Sequence, residues 1–440
     1  MRRMLRTCGG EGRTGQMTLR ILEQDEHGKT RSLWEEVFPE DTKIFLDYYY
    51  YIKTRDNQIY VIEEDEEFCS MLQLNPYIVR VEEKEFPSAY IIAVATKEKY
   101  RRRGYMGALL RASLNDMYAK KIPFTFLMPA AEAIYTPYDF RFIYSQDRGE
   151  LVRSADEGQL WWNSVPCERY LQDALEESDT GRFRQHNHLK AAEIQPVEPA
   201  SMTPGVGNGS VVFSDAGLWD AEEMAAFYEE HFARQYQVCT VRDSAYYQTM
   251  VMEQQSERGG VRMVKEGGVL KGIYAYAGED GLEIREPLFL NGYEAVFLQS
   301  VNELAADGER IKVHACPPEC ASEAKPLIMA RIVCLAEFLS ALKVPEELSV
   351  DCSFAVIDTI ITQNSRVWKV TSEKGETELH VRETEDSEGV LPIAELTEIL
   401  FGRRMIGEVK DREGVILSER LAEELEKITK LKKVCFNEIV

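Results

Sequence analysis

Three consecutive arginines, Arg101 to Arg103, stand before Gly104, at the point where an apolar run ending in Val94, Ala95 and Thr96 gives way to a helical pattern. Residue types in that order have a chemistry. A helix N-terminus leaves backbone N–H groups without partners, the helix dipole adds positive charge, and a glycine lets an anion come close to the backbone. Guanidinium groups add a donor fork that fits phosphate oxygens and that lysine does not copy. The strand end at Val94 to Thr96 offers backbone groups that can pair with an extended, amide-bearing ligand as another strand would. A ligand with both an amide-bearing arm and a pyrophosphate is coenzyme A. Taken alone, the same residues also describe a basic helix start solvated at a surface.

Elements that could position such a turn are legible on both sides of it. TLRIL, from Thr18, reads as a strand, the stretch from Ser32 to Val37 as a helix, and FLDYYYYIK, Phe45 to Lys53, as an aromatic helix or strand. QIYVIEE, FCSMLQLNPYIVRV and AYIIAVAT alternate in the period of strands and are separated by charged turns. A helix from Gly104 to about Lys120 and a strand from Phe124 to Met128 complete an α/β domain. Residues 190–210 hold Pro, Gly and Ser without periodicity and read as a linker. Beyond it the order repeats: an amphipathic helix from Asp220 to Ala233, a hairpin of GVRMVKEGG and LKGIYAYAGE, the strand LEIREPLFL, and a helix from Glu294 to Ala306. Duplication is the natural reading, although FLNGYEAV stands where the arginine turn would be. From about Lys325 the run KPLIMARIVCLAEFLSAL reads as helical. Strands LSVDCSFAVID, SRVWKVTSE and ELHVRE, two late helices and an apolar end, VCFNEIV, follow it.

The chain has 440 residues, enough for about two or three domains, and 44% of them are hydrophobic. Its formal net charge of −23 argues against nucleic acid as a partner. Nine cysteines, an odd number thinly spread, fit reduced thiols and a cytoplasmic location. No apolar run is long enough to span a bilayer, so no membrane partner is expected. Residues 1–16 are basic and Gly-rich and read as a flexible extension or as a stretch upstream of a start at Met17.

The sequences VATKEKYRRRGYMGALL and FTFLMPAAEAIYTPYDFRFIY resemble the GNAT acetyltransferases of the enhanced intracellular survival (Eis) type. The resemblance implies an α/β and α+β architecture in three parts. These are a GNAT domain at 17–160, a second, degenerate GNAT-like domain at 161–315, and a sterol-carrier-protein-like domain at 316–440 that delivers the C-terminus. It also implies acetyl-CoA as cosubstrate, held by Val94, Ala95, Thr96, Arg102, Arg103, Gly104, Tyr105, Met106 and Gly107, with Ala130 and Ala131 beyond the next strand. Met106 departs from the family's small residue, and Ala130 and Ala131 lack the hydroxyl and carboxylate of some relatives.

Acetyl transfer to an amine needs a base for the amine and a proton for the departing thiolate. The resemblance makes Tyr135 the general acid, a phenol with an ordinary pKa of about 10. By composition alone, Tyr135 with Tyr138, Phe140, Phe142 and Tyr144 reads as core packing. The resemblance makes the α-carboxylate of Val440 the base, and it implies a hexamer. Phe38 and Glu40, in FPEDTKIFLDYYYY with Asp41 and Asp47, match the wall of an acidic, aromatic pocket for aminoglycoside- or polyamine-like substrates, with Glu438 assisting. Read without the family, that segment is a charged helix end and an amphipathic element.

Other residues are set aside. His314, Cys316 and Cys320 surround a Pro–Pro turn and lack a second ligand pair, so no metal is expected. His186 and His188 lie in a polar connector, and Trp161 and Trp162 are expected to pack between domains. The expected function is acetyl-CoA-dependent N-acetylation of primary amines. Its rivals are protein-lysine acetylation and a non-catalytic acetyl-CoA- or lipid-binding sensor or scaffold.

Overall fold

The computed structural model describes residues 17–153, 158–163, 210–279, 281–306 and 308–438. Residues 1–16, residues 190–209 of the expected linker with His186 and His188, and Val440 lie outside the described residues. The chain opens with β1 (Thr18–Ile21), α1 (Arg31–Val37) and α2 (Lys43–Tyr51). The aromatic run is therefore helical. Thr42 caps it by accepting from the Phe45 amide at 3.2 Å, and Phe45, Leu46, Tyr48 and Tyr49 form its buried side. Then come β2 (Gln58–Glu64), β3 (Glu67–Val81), β4 (Lys84–Thr96), α3 (Tyr105–Ala119), β5 (Phe124–Leu127), the single turn α4 (Glu132–Tyr135) and β6 (Arg141–Arg153). Further on lie β7 (Leu160–Trp162), β8 (Val211–Asp215), α5 (Ala221–His231), β9 (Val238–Thr240), α6 (Ser244–Ser256), β10 (Gly260–Glu266) and β11 (Val269–Ala277). They are followed by β12 (Glu283–Phe289), α7 (Glu294–Asn302), β13 (Arg310–His314), β14 (Glu323–Ile332) and α8 (Leu335–Ala341). The last stretch holds β15 (Val350–Ile357), β16 (Val367–Ser372), β17 (His380–Thr384), β18 (Gly389–Pro392), α9 (Ile393–Leu400), α10 (Ile406–Val409), β19 (Ile416–Leu417), α11 (Glu419–Glu426) and β20 (Val434–Cys435).

Two compact units divide these elements. One draws on Met1–Ser145, Phe232–Arg242 and Pro326–Val440, the other on Gln146–His231 and Asp243–Lys325. The first unit thus takes Phe232–Arg242 from the expected second segment and groups it with Pro326–Val440. In that unit the order is β1-β2-β3-β4-β5-β14. β3 is long enough to serve two neighbours: Glu67 to Leu74 pair with β2, and Val79 to Val81 pair with β9. β20 then pairs in parallel with β9. A second sheet, β17-β16-β15-β18-β19, carries the sterol-carrier-like part. Phe338, Leu339, Phe354, Leu396, Leu400, Leu421 and Leu425 cover it, in a core that continues into Val79, Tyr90, Phe124, Phe126 and Phe436.

Residues 325–342 correct the sequence reading. They are not one helix but β14 followed by α8. Leu327 to Ile332 are buried without a break, as in a strand covered on both faces, and in a short apolar run that pattern cannot be told from a buried helix.

The second unit repeats the first element by element. β8, α5, α6, β10, β11, β12, α7 and β13 follow the order β1, α1, α2, β2, β3, β4, α3 and β5, and β12 and β13 are parallel as β4 and β5 are. Its glycine turn holds a carboxylate instead of cations: the Gly292 amide donates to Glu294 at 3.1 Å. Trp162, expected with Trp161 to pack between domains, stacks on Phe297 within this unit, centroids 6.2 Å apart, and Trp161 is 47% exposed.

Candidate active site

β4 and β5 are paired at one position, Tyr90 opposite Phe126. Beyond it β4 runs on to Thr96 and the strands part. A bulge turns β4 away: Gln73 faces Ile92 and Met71 faces Ala95, so Ala93 and Val94 together oppose Leu72, and Ala93 takes a φ of 50°. Past the bulge β4 is pinned to β3. Ser70 Oγ donates to the Ala95 carbonyl at 2.8 Å and shares a hydrogen bond with Thr96 Oγ1 at 2.7 Å. Val94, Ala95 and Thr96 thus form one arm of a cleft whose apex is the Tyr90–Phe126 pair.

The turn at the mouth of that arm has the backbone geometry of a nest. Arg102 and Gly104 have left-handed φ values of 63° and 79°, which gather successive N–H groups toward one concavity at the start of α3. A Cβ on Gly104 would meet nothing within 4 Å, so its φ, not space, asks for glycine. Gly107 is the opposite case: a Cβ there would lie 2.6 Å from the Tyr138 hydroxyl. The nearby cations are mostly engaged. Lys97 and Lys99 each contact Glu67 at 2.7 Å, Arg101 donates to the Thr96 carbonyl at 3.3 Å, and Arg103 lies over the Tyr100 ring and 3.7 Å from Glu64. Tyr105 donates its hydroxyl to Glu64, and Met106 is half-buried against the α3 core. Arg102 is exposed and has no side-chain partner among the described residues. Backbone amides and one spare guanidinium can receive a pyrophosphate, and the free strand arm can receive an amide-bearing chain.

Tyr135 ends α4, on the β5 side of the cleft, beyond the exposed Ala130 and Ala131. It is 7% exposed, its ring stands edge-on to Phe140 at 5.9 Å, and burial pushes its phenol up to about 12. Tyr90, at the apex, is held well above the ordinary phenol range by burial, with Tyr77, Glu438 and Tyr135 all acting on its charge. The end of the chain comes to this apex. The Lys433 carbonyl accepts from the Gln237 and Val238 amides, and Phe436 stacks on Phe126 at 4.5 Å. Asn437 accepts from the Tyr144 hydroxyl at 2.7 Å, and Glu438, 4% exposed, accepts from Thr240 and lies 3.6 Å from Arg242.

Residues 18–143 match the family model of the GNAT acetyltransferase domain. The chain carries a GNAT acetyltransferase domain. Residues 335–436 match the sterol carrier protein domain. A probable N-acyltransferase from Enterococcus faecalis shares the fold at a TM-score of 0.71 and 16% identity, with 94% of this chain and 97% of that one covered. A GCN5-related N-acetyltransferase from Anabaena variabilis follows at 0.67 and 14%, covering 94% and 98%. Eis1 from Mycobacterium abscessus matches at 0.62 and 14%, covering 95% and 98%. No curated protein matches the chain in sequence.

The carboxylates expected to line an acceptor pocket divide. Asp41 accepts from the Trp34 indole at 2.6 Å, and Asp47 is held by Arg31 at 2.6 Å, which keeps its carboxyl below the usual range. Glu438 is buried against Thr240 and Arg242, so its charge is spent inside the fold. Glu40 stays exposed, and Phe38 lies edge-on to Trp34 at 5.9 Å. Sequence reasoning missed Tyr77, Tyr90, Lys53, Thr240 and Arg242. Lys53 donates to the Tyr77 hydroxyl at 3.1 Å and lies over its ring. Thr240 ends, and Arg242 follows, the strand β9, which joins this sheet from a distant part of the chain, and no local pattern signals that.

Proposed function

We propose that this chain transfers the acetyl group of acetyl-CoA to a primary amine of a cationic, aminoglycoside- or polyamine-like small molecule, directly and within a ternary complex. The pyrophosphate lies in the Arg102–Gly104 nest and the pantetheine arm along Val94 to Thr96. Gly107 and Tyr105 serve this site by packing and by backbone amides. The neutral amine attacks the thioester carbon, forming the C–N bond as the C–S bond breaks. Tyr135 gives its proton to the departing sulfur, and the Val440 carboxylate takes the proton from the amine. Phe38 and Glu40 meet the acceptor, with charge and ring faces suited to ammonium groups. We further propose a cytoplasmic homo-oligomer, a hexamer, with no metal.

The observation that carries this reading is the seat of the tail. Phe436 to Glu438 reach the Tyr90–Phe126 apex, and Val440 is two residues further on. The test is release of free thiol from acetyl-CoA by the purified full chain, with a polyamine, an aminoglycoside or a lysine peptide as acceptor. Turnover with the first two, and its loss when one residue is added after Val440 while acetyl-CoA still binds, is the expected result. Turnover with the peptide alone makes the chain a protein-lysine acetyltransferase. Binding of acetyl-CoA without turnover on any amine rejects the enzyme reading.

A further inference from the structure

Arg331 is the largest fully buried side chain of the described residues, and the proposed acid–base chemistry does not use it. A guanidinium in the interior must find an acceptor for each donor it buries. Arg331, on β14, finds them in three directions. Nη1 donates to the Ile332 carbonyl at 2.9 Å and Nη2 to Asp358 at 2.6 Å, while Nε donates to the carbonyl of Tyr138 at 3.0 Å. Asp139 lies 3.5 Å from Nη2.

One end of this network is rigid. Asp358 is fully buried, and its carboxylate accepts from the Ile360 and Ile361 amides at 2.9 and 2.8 Å and from Asn364 at 2.9 Å. Asn364 in turn bonds the Val333 carbonyl and the Leu335 amide, on either side of the junction between β14 and α8. These bonds orient the carboxylate without help from Arg331.

The other end is weakly built. Glu132 to Tyr138 form one turn of helix and one 3-10 turn, closed by bonds from Asp139 to Thr136 at 3.0 Å and from Phe140 to Tyr135 at 3.4 Å. Segments this short do not hold their shape by themselves. Tyr138, whose carbonyl Arg331 grips, also rests its hydroxyl on Gly107 and lies under Arg111 at 6.0 Å. A fixed Tyr138 therefore sets the loop's height against α3. We infer that Arg331, oriented by Asp358 of the sterol carrier domain, is a positioning residue that fixes the Tyr135 loop over the cleft. A buried ion pair can often be replaced by apolar groups without loss of stability, so stability alone does not account for this one. The inference rests on Tyr135 acting as the acid.

The test uses the full chain with Arg331→Lys and Asp358→Asn, each alone and combined with Tyr135→Phe. Both single variants should melt cooperatively and bind acetyl-CoA within about threefold of wild type, yet lose roughly 10–100-fold in kcat with amine KM little changed, as for a displaced catalytic group. Combined with Tyr135→Phe, either substitution should lower kcat by less than about twofold more, because both act through one group. Wild-type kcat in both single variants overturns the inference, as do losses that multiply in the double variants. If Arg331→Lys fails to fold, the near-isosteric Asp358→Asn decides alone, and failure of both marks the network as structural and ends the proposal. A Tyr135→Phe variant with wild-type kcat would reject the acid assignment itself, a separate outcome.

Discussion

Tyr135 stands at the boundary between packing and chemistry, and its surroundings say how the two combine. Burial raises its phenol to about 12, so the group keeps its proton across the neutral range and has a donor ready for a thiolate. The sign is unambiguous: ionisation removes the donor, so kcat falls as pH rises through the raised pKa. With kcat limited by protonation of the thiolate, the wild type should hold nearly full kcat at pH 10, where an ordinary phenol, with a pKa of about 10, would have lost half its protons. Tyr135→Phe should lower kcat by about 10²–10⁴-fold, the range of general acid catalysis, and leave acetyl-CoA affinity within about twofold. Thiol release measured from pH 7 to 10.5 checks both statements. A wild-type profile bending near 9 would remove the phenol from the mechanism.

At the scale of elements, the nest and the Tyr135 loop meet on α3. Gly104 and Gly107 both face demands there, and the demands differ. Gly104→Ala leaves open space but forces a left-handed φ on a residue with a Cβ, a cost of about 1–2 kcal/mol. Gly107→Ala drives a methyl into the Tyr138 hydroxyl. Thermal melts and acetyl-CoA titrations should show Gly104→Ala weakening the cofactor, and Gly107→Ala lowering kcat by moving Tyr138. Adding Tyr138→Phe, which removes the clashing oxygen, should restore much of the Gly107→Ala loss and none of the Gly104→Ala loss. Equal rescue of both, or of neither, would contradict this division of roles.

Across the first unit, chain segments far apart in sequence come together at the candidate site. β9 and β20 add the tail to the free half of β3, and Phe436 fills the space against Phe124 and Phe126. Large aromatic-to-alanine changes in a core cost about 3–5 kcal/mol when the whole molecule must absorb them. Here the tail can leave instead. Phe436→Ala should therefore cut kcat by more than about tenfold while acetyl-CoA affinity changes little, a split that marks loss of a group used in the chemical step. The measurement is kcat alongside calorimetric acetyl-CoA binding. A parallel loss of affinity would mean that the tail holds the cofactor, not the proton.

Local order was legible in the residues themselves. The period-2 runs of β2, β3 and β4, the arginine turn and the start of α3 follow from side-chain alternation and backbone chemistry that act within a few positions. The repeated element order of the second unit was legible for the same reason. What only the tertiary structure decided depends on partners distant in the chain. LIMARI is a strand because β5 pairs with it, where its sequence allows a helix as well. Asp41, Asp47 and Glu438 looked like a shared acidic wall, yet each is tied to a partner of its own, because burial and pairing, not composition, set where charge is available. Arg331 was invisible for the same reason. A guanidinium bonding across 193 positions to Tyr138 leaves no periodic trace in the sequence between them.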